Sequence, residues 1–408
     1  ISMRRWWCDD VRKLGPYGVP GGRTGDCRDL LAALPDESIQ CVVTSPPYFG
    51  LRQYKGLQPS VWGIETDCKH EFCGEGKSHQ RLRNGIGGGV TKAPFGEVLH
   101  PSTGSSCTHC NAWRGHLGNK PLHDCLAWAR SEPPCTTCYV CHMRTIAAAL
   151  RRVLRADGTF FLNIGDSYAG SGKGGSNPEY QKRHKEFGGA SSKNNDVDAF
   201  GIPVGTPRGL KAKDLIGIPW RLALAFQSDG WYLRRDIIWA KANSLPESVT
   251  DRPTGAHEYI FLFTKSASYF YDQAAMGDAK NLRSVWQIQS DVYPGAHFAA
   301  YPREIPKRAI LLGTSAHGAC ASCGSPWKRV SVKERPRGAK ARGAHEPSNA
   351  NTGLSAHRGC RGTPTTTTTG WEPACSCGDP NTQPCVVLDP FLGSGTTGAV
   401  AEELGRDW

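Results

Sequence analysis

Short apolar runs alternate with stretches of helical periodicity in several parts of this chain. A mostly apolar run at residues 39–43 follows a stretch, residues 30–34, in which three leucines repeat at the spacing of one helical face. A proline directly after the leucines ends the helix. We therefore predict a short helix and then a buried strand within residues 22–50.

The same succession of helix and strand recurs further along the chain. Residues 143–164 predict a helix, an Asp-Gly turn and a strand, and residues 215–271 predict a helix and two β-like runs. Residues 385–408 predict a strand, a glycine-rich turn and a helix. Strands that alternate with helices favour a mostly parallel sheet flanked by helices, so the predicted fold class is α/β.

Two long stretches interrupt this pattern. Both are irregular and rich in cysteine, and a third stretch, rich in Gly, Ser, Lys and Asn, is predicted to be a flexible loop. The predicted organisation is an N-terminal segment (1–21), a core in three pieces (22–50, 143–312 with the flexible loop 169–213, and 385–408), and two cysteine-rich insertions (51–142 and 313–384).

The charge balance narrows the class of partner. The chain has 49 Lys and Arg against 37 Asp and Glu, which favours a polyanion and above all nucleic acid. The basic segments 173–189 and 332–343 are expected to contact phosphates, although solvated charged loops would have the same composition. Without an apolar stretch of about 18 residues or a signal peptide, we expect no membrane association and a cytoplasmic location.

The 17 cysteines indicate metal binding more than disulfides, because many stand in pairs spaced as zinc ligands and no secretion signal accompanies them. Two sets are complete: Cys68, His70, Cys107 and Cys110; and Cys320, Cys323, Cys375 and Cys377. We predict structural zinc in both. Cys73, His79 and His109 are alternative ligands in the first set.

A third set is less decided. Its members are Cys125, Cys135, Cys138 and Cys141. Zinc, an iron–sulfur cluster and buried thiols all remain open for this set. Cys8, Cys27, Cys41 and Cys385 are expected to be ordinary core or edge residues.

Two turns carry the candidate chemistry. The strand at residues 39–43 ends in Ser45-Pro46-Pro47-Tyr48, where the prolines lack N–H donors and fix φ. The result is either a simple strand end or a rigid turn, here called the elbow, that presents a hydroxyl, a carbonyl and a ring to a flat substrate.

The second turn, "DPFLGSGTTG", stands between a predicted strand and a helix near the C-terminus. Glycines there let a ligand approach the backbone and the N–H groups that begin the helix. No Lys-Ser/Thr pair follows, which excludes a nucleotide-binding P-loop.

Together and in this order, the two turns resemble those of the permuted β group of DNA amino-methyltransferases. These enzymes transfer a methyl group from S-adenosylmethionine to an exocyclic amino group of a base. "GDCRDLL" and "HFAAYP" fit the family's remaining cofactor motifs. The resemblance implies a circularly permuted, Rossmann-like fold, double-stranded DNA as partner and a role in restriction–modification. The motif order argues against relatives that methylate RNA or protein glutamine.

The resemblance also implies a role for each motif residue. The elbow, Ser45, Pro46, Pro47 and Tyr48, would be catalytic. The cofactor would contact Asp26, Thr44, His297, Phe298, Asp389, Phe391, Gly393, Gly395, Thr396 and Thr397. For Asp26 the alternative is a helix N-cap, and both roles are compatible.

Serine at the first elbow position is associated in this family with N4 of cytosine and aspartate with N6 of adenine, so we expect N4. N6 of adenine, or an inactive zinc-stabilised DNA-binding protein, are the alternatives. Methylation at cytosine C5 is excluded because no cysteine stands in a Pro-Cys-Gln context. A zinc deaminase is excluded because no His-x-Glu precedes "PCTTC".

One expectation concerns the C-terminus. An acidic residue that holds the ribose normally follows such a glycine turn by about 20 positions, which would lie beyond Trp408. "LGRDW" is therefore expected to start the next strand without reaching that residue, and the cofactor is expected to bind more weakly in this chain. The alternative is that another carboxylate, such as Asp26, holds the ribose.

Overall fold

The structure is a computed structural model. It describes residues 12–14, 19–21, 25–49, 60–63, 68–72, 105–110, 112–115, 117, 127, 129–130, 132–135, 138–169, 210–211, 213–244, 247, 249–277, 282–290, 301–334 and 365–408.

The described helices are α1 (Cys27–Ala32), α2 (Tyr139–Val153), α3 (Ile218–Ser228), α4 (Glu304–Gly313) and α5 (Thr396–Glu403). The strands are β1 (Arg12–Leu14), β2 (Val19–Gly21), β3 (Ile39–Thr44), β4 (Ser60–Trp62), β5 (Ser105–Ser106), β6 (Trp113–Gly115), β7 (Leu154–Ile164), β8 (Tyr232–Lys241), β9 (His257–Thr264), β10 (Val285–Ile288), β11 (Ala319–Cys320), β12 (Lys328–Glu334), β13 (Thr365–Glu372), β14 (Thr382–Gln383) and β15 (Val387–Leu388).

Six of these strands form the central sheet, in the order β10-β8-β9-β7-β3-β15. The pairs β10–β8, β7–β3 and β3–β15 are parallel, while β9 is antiparallel to both of its neighbours. Five strands therefore point one way and β9 alone is reversed. This confirms the predicted mostly parallel α/β sheet.

Helices cover both faces of the sheet, so successive side chains along a strand point alternately into two cores. Phe160 and Leu162 pack with α1, α2 and α3, while Phe161 between them packs with α4 and α5. A strand buried on both faces reads as a continuous apolar run, which is why β7 was recognisable in the sequence.

The last strand of the chain lies beside one of the first. Val387 and Leu388 of β15 pair with Cys41 and Val42 of β3. A C-terminal strand inserted next to an N-terminal strand is the arrangement expected of a circular permutation. Asp407 forms a parallel bridge with Val386, so the chain there runs along β15, where the sequence predicts the next strand to start.

Outside the central sheet the described strands form small antiparallel sheets. β4, β6 and β5 make a three-stranded sheet within residues 51–142, and β12 pairs with β13 within residues 313–384. Trp62 and Trp113 of the three-stranded sheet are buried in the core that contains α2.

Helix α2 begins at Tyr139, four residues before the periodic run that predicts it. Cys138 caps it, and its sulfur accepts a hydrogen bond from the backbone N–H of Cys141. None of the helices in the described residues is long and apolar enough to span a membrane.

Candidate active site

The two sequence motifs meet at one edge of the central sheet. β3 and β15 are parallel neighbours, so the residues that follow them lie at the same edge. The Thr44 hydroxyl at the end of β3 donates to Oδ1 of Asp389, just after β15, at 2.5 Å. A direct hydrogen bond therefore joins parts of the chain that are 345 residues apart.

Asp389 is the centre of a cluster of donors. Besides Thr44, it accepts hydrogen bonds from the Phe391 backbone N–H (3.0 Å), the Thr397 hydroxyl (2.5 Å) and the Tyr301 hydroxyl (3.5 Å). Burial raises the pKa of Asp389, and the hydrogen bonds from Thr397 and Thr44 oppose that rise. The carboxylate fixes the start of α5 against the end of β3.

The glycine turn leaves room for a ligand. Gly393 and Gly395 have φ of 55° and 82°, which side chains rarely adopt, and a Cβ at Gly395 would meet nothing within 4 Å. No side chain caps the N-terminus of α5. An open glycine backbone and uncapped helix N–H groups beside a buried carboxylate fit a cofactor with a polar amino-acid portion, such as S-adenosylmethionine.

The elbow is held at several of its residues. The Ser45 hydroxyl lies 3.3 Å from the Tyr48 hydroxyl. The Pro47 carbonyl accepts a hydrogen bond from the Tyr139 hydroxyl at 2.9 Å, and the Tyr139 ring packs edge-on against Phe49. The turn is therefore fixed by α2 as well as by its own prolines.

Two polar residues that the sequence reasoning missed hold the Tyr48 hydroxyl. It lies 2.5 Å from Glu258 Oε2 and 3.1 Å from Asn163 Oδ1, and Glu258 also pairs with Lys241 at 2.6 Å. Burial, followed by the charge of Glu258, raises the pKa of Tyr48 well above its ordinary value, so the hydroxyl keeps its proton.

A usable signal for Asn163 existed in the sequence. It stands between Leu162 and Ile164 in an apolar strand and is only 2% exposed, and a buried amide in such a strand needs a polar partner. Glu258 gave a weaker signal as a charged residue near the start of a β-like run. Nothing in the sequence connected either residue to the elbow.

The Tyr48 ring lies directly against the backbone at Gly165. A Cβ at this glycine would come within 2.7 Å of Tyr48 Cε2. The end of β7 therefore supports the ring, and only glycine allows this approach.

Asp26 is the N-cap of α1, as one of its two predicted roles requires. It accepts from the Arg28 backbone N–H at 3.0 Å and forms an ion pair with the Arg28 guanidinium at 2.6 Å. Burial alone would raise the pKa of Asp26, but the hydrogen bonds from Arg28 outweigh it, and the pKa lies below its ordinary value. A cofactor contact by Asp26 stays a prediction.

The described cysteines come together in the predicted sets. The candidate ligand atoms of each complete set lie within 4.8 Å of one another, and so do the sulfurs of Cys135, Cys138 and Cys141. His109 faces Glu71 instead, with its Nε2 3.3 Å from the carboxylate. The predicted residues Cys8, Cys73, His79, Cys125, His297 and Phe298 lie outside the described residues.

The second complete set lies at the opposite ends of the strands from the elbow. Gln40, at the start of β3, donates to the Gly324 carbonyl at 3.0 Å, and Arg155, at the start of β7, donates to the Cys323 carbonyl at 2.5 Å. The elbow follows the other end of β3. This set is therefore attached to the core but separated from the site by the length of the strand.

A mostly parallel sheet with a glycine turn and a proline elbow joined by a hydrogen bond has the features expected of S-adenosylmethionine-dependent methyltransferases. Within that class the family described as DNA methylase matches residues 39–320 and 384–408. The chain belongs to this DNA methylase family.

Individual relatives agree with the family assignment. Type II methyltransferase M.XycI of Xanthomonas campestris pv. cyanopsidis is 38% identical over 296 residues, 71% of this chain and 71% of that protein. Type II methyltransferase M.SmaI of Serratia marcescens is 32% identical over 391 residues, 94% of this chain and 82% of that protein.

Among solved structures, the cytosine-N4-specific PvuII DNA methyltransferase resembles the chain with a TM-score of 0.43 at 15% identity. This likeness covers 94% of the chain and 78% of that structure, and at that TM-score it carries no further weight.

The predicted family, fold class and activity are thereby confirmed. The protein is an S-adenosylmethionine-dependent DNA methyltransferase that modifies an exocyclic amino group of a base at a specific site. The roles of individual site residues, the zinc ions and the target base stay predictions.

Proposed function

We propose that the protein methylates N4 of cytosine in double-stranded DNA, as the modification enzyme of a restriction–modification system in the cytoplasm of a bacterial or phage-infected cell. The observation that carries the proposal is the hydrogen bond between Thr44 and Asp389, because it brings the elbow and the glycine turn to one edge of the sheet. Ser45 as the first elbow residue favours cytosine, and N6 of adenine is the alternative.

The chemical problem is that an exocyclic amino group is a poor nucleophile, because its lone pair is delocalised into the ring. Two acceptors aimed at its N–H bonds favour a tetrahedral nitrogen with an available lone pair. We assign these roles to the Ser45 hydroxyl and the Pro46 carbonyl. Pro46 is buried, and the adjacent proline restricts the direction in which its carbonyl points.

A directed chain of hydrogen bonds makes Ser45 an acceptor. Glu258 accepts the Tyr48 proton at 2.5 Å, and the Tyr48 oxygen then accepts the Ser45 proton at 3.3 Å. With its only proton pointed at Tyr48, the Ser45 oxygen keeps a lone pair for an amino N–H of the base.

The base must leave the duplex to reach this site, so we propose that it is flipped and stacked on the Tyr48 ring. Gly165 supports the ring from the β7 side. Stacking on an aromatic ring is worth roughly 1–3 kcal/mol per base, and here it would also set the angle of attack.

When bound, S-adenosylmethionine supplies a methyl group activated by a sulfonium. We propose that its methionine portion lies along the glycine turn, with Asp389, Phe391, Gly393, Gly395 and Thr396 around it and Asp26 toward the adenine. The geometry suggests that Thr44 and Thr397 act through Asp389, since both hydroxyls donate to it.

We further propose structural zinc in the two complete sets. In a tetrahedral zinc site with bonds of about 2.3 Å, neighbouring sulfurs lie about 3.8 Å apart. In the first set the sulfurs of Cys68 and Cys107 are 3.8 Å apart, and Cys110 Sγ lies 3.3 Å from His70 Nδ1. The second set is four cysteines within 4.8 Å of one another.

The test is nucleoside analysis of mixed-sequence DNA after incubation with the purified protein and isotopically labelled S-adenosylmethionine. We expect labelled N4-methylcytosine, and we expect Ser45→Ala to abolish it while a change at an exposed serine, Ser268→Ala, leaves it unchanged. Label found only in N6-methyladenine would refute the choice of base. Unchanged methylation by Ser45→Ala would refute the role of Ser45.

A further inference from the structure

The third cysteine set lies at the N-terminus of α2, directly behind the elbow. The sulfurs of Cys135, Cys138 and Cys141 all lie within 4.8 Å of one another, a limit that includes the separation of about 3.8 Å in a tetrahedral zinc site. A cubane iron–sulfur cluster would hold its ligand sulfurs further apart, because the cluster itself fills the space between them. The spacing therefore favours a single ion.

The surroundings of these sulfurs suit thiolates. The backbone N–H of Cys138 donates to Cys135 Sγ at 3.4 Å, and that of Cys141 donates to Cys138 Sγ at 3.3 Å. Hydrogen bonds of this kind and the positive end of the α2 dipole stabilise negative charge on sulfur, and a metal binds the thiolate form.

Burial gives a competing explanation. Cys138 and Cys141 are 1% and 0% exposed and belong to the core around α2, so both could serve only as small apolar residues. Packing alone does not explain why Cys135, outside the helix and half-buried, turns its sulfur to the same point.

Tyr139, which lies between Cys138 and Cys141, holds the elbow. Tyr139 is fully buried, donates to the Pro47 carbonyl at 2.9 Å, and packs its ring edge-on against Phe49 at 5.6 Å. In the same turn of α2, His142 stacks on Trp62 at 4.7 Å. Any shift of this turn would move the Pro46-Pro47 segment that is proposed to face the base.

We propose that Cys135, Cys138 and Cys141 supply three of the four ligands of one zinc ion, which fixes the first turn of α2 so that Tyr139 holds the catalytic elbow in position. The inference rests on the proposed role of the elbow. Tyr139 is thus a positioning residue, and methyl transfer depends on a metal that touches neither the base nor the cofactor.

The experiment compares Cys135→Ser and Tyr139→Phe with the unchanged protein, and uses Cys385→Ser as a matched control because Cys385 is a buried cysteine outside all three sets. Each protein is dialysed against a mild chelator. Its metal content is then measured by mass spectrometry, its S-adenosylmethionine affinity by calorimetry, and kcat as total methyl transfer to DNA.

We expect Cys135→Ser to lose about one zinc per chain, and both test variants to lose about tenfold to a hundredfold in kcat with unchanged cofactor affinity. Tyr139→Phe should keep its zinc, and Cys385→Ser should match the unchanged protein. Full zinc content in Cys135→Ser, iron in place of zinc, or unchanged kcat in Tyr139→Phe would overturn the inference.

Because kcat counts methyl groups on either base, these outcomes do not depend on whether cytosine or adenine is the target. A wrong target base would appear in the nucleoside analysis and leave the metal content and kcat comparison intact.

Discussion

At the scale of single residues, the orientation of the elbow depends on side chains that are distant in sequence. The chain Ser45–Tyr48–Glu258 ends on Lys241, whose ammonium lies 2.6 Å from Glu258. Tyr48 accepts the Ser45 proton, Glu258 accepts the Tyr48 proton, and the Lys241 ammonium donates to Glu258. In the proposed mechanism, the Glu258 carboxylate thereby sets whether the Ser45 hydroxyl donates or accepts.

Glu258→Gln tests this dependence. The amide keeps the shape of the side chain but can turn an N–H toward Tyr48, and it loses the charge that pairs with Lys241. We expect kcat to fall by about tenfold to a hundredfold with unchanged KM for S-adenosylmethionine, measured by steady-state methylation of DNA. Glu37→Gln is the matched control, because Glu37 pairs with Lys265 at 2.7 Å on the protein surface. Equal kcat in the two variants would contradict the role of Glu258.

The buried carboxyl group of Asp389 makes the stability of the fold depend on pH, and the same group is proposed to contact the cofactor. Burial raises the pKa of Asp389 in the folded protein above the unfolded value of about 3.9. Between these two pKa values is a pH window in which the folded protein holds a proton that the unfolded chain releases. Through that window stability falls as pH rises. Below the window there is no such loss, and above it the loss is complete and constant.

Asp389→Asn should therefore unfold at higher urea concentration than the unchanged protein at neutral pH, with the difference shrinking as pH falls through the window. The hydroxyls of Thr397 and Tyr301 can accept from the new amide. The same variant should bind S-adenosylmethionine about tenfold more weakly, because a charged hydrogen-bond acceptor is lost. We expect the variant to gain most stability over the unchanged protein at neutral pH. A smaller gain at neutral pH than at acid pH would contradict this account.

At the scale of elements, the two complete cysteine sets have different neighbours. The first set belongs to the β4-β6-β5 sheet, where the Val61 carbonyl accepts from Arg28 at 2.9 Å and the Arg28 guanidinium lies 4.0 Å from the centre of the Trp62 ring. Arg28 in turn pairs with Asp26. The first set is thus attached near the predicted adenine end of the cofactor. The second set is attached where β3 and β7 begin, at the ends of the strands away from the elbow.

Cys107→Ser tests whether metal stabilises the small sheet. Cys107 is 1% exposed, and its backbone N–H donates to Ala112 at 2.7 Å in the turn between β5 and β6. We expect the variant to lose about one zinc and to show faster hydrogen exchange in β4, β5 and β6, with unchanged protection of β3 and β7. Cys385→Ser should keep both properties. Unchanged exchange after loss of the zinc would show that the sheet does not depend on it.

At the scale of the whole molecule, the net charge of +12 matches a DNA substrate, and each neutralised phosphate contact adds about 0.9 to the slope of log affinity against log salt. The segment 173–189 contains Lys182, Arg183 and Lys185 and lies outside the described residues. Replacing these three by glutamine should lower the slope by about two to three, measured by DNA binding over a salt series. Replacing Lys328, Arg329 and Lys333 by glutamine would be a poor control, because Arg329 forms an ion pair with Asp272. The control is instead the exchange of Lys182, Arg183 and Lys185 among Lys and Arg, which preserves their charge and should preserve the slope.

The sequence by itself determined the strand pattern, the two turns and the composition of the cysteine sets. Strands buried on both faces read as continuous apolar runs, and proline and glycine act on the backbone locally, so β3, β7, the elbow and the turn at Gly393–Gly395 were predictable. Cysteine spacing likewise predicted which cysteine and histidine side chains converge. The family followed from the order of the two turns.

Only the tertiary structure decided which side chains act on those turns. Glu258, Asn163 and Tyr139 reach the elbow from β9, β7 and α2, and their contacts depend on the order of strands in the sheet, which no local pattern specifies. The distance of 2.5 Å between Thr44 and Asp389 likewise exists only because β15 inserts beside β3. Local backbone chemistry is written in short stretches of sequence, whereas the site is assembled by hydrogen bonds between stretches up to 345 residues apart.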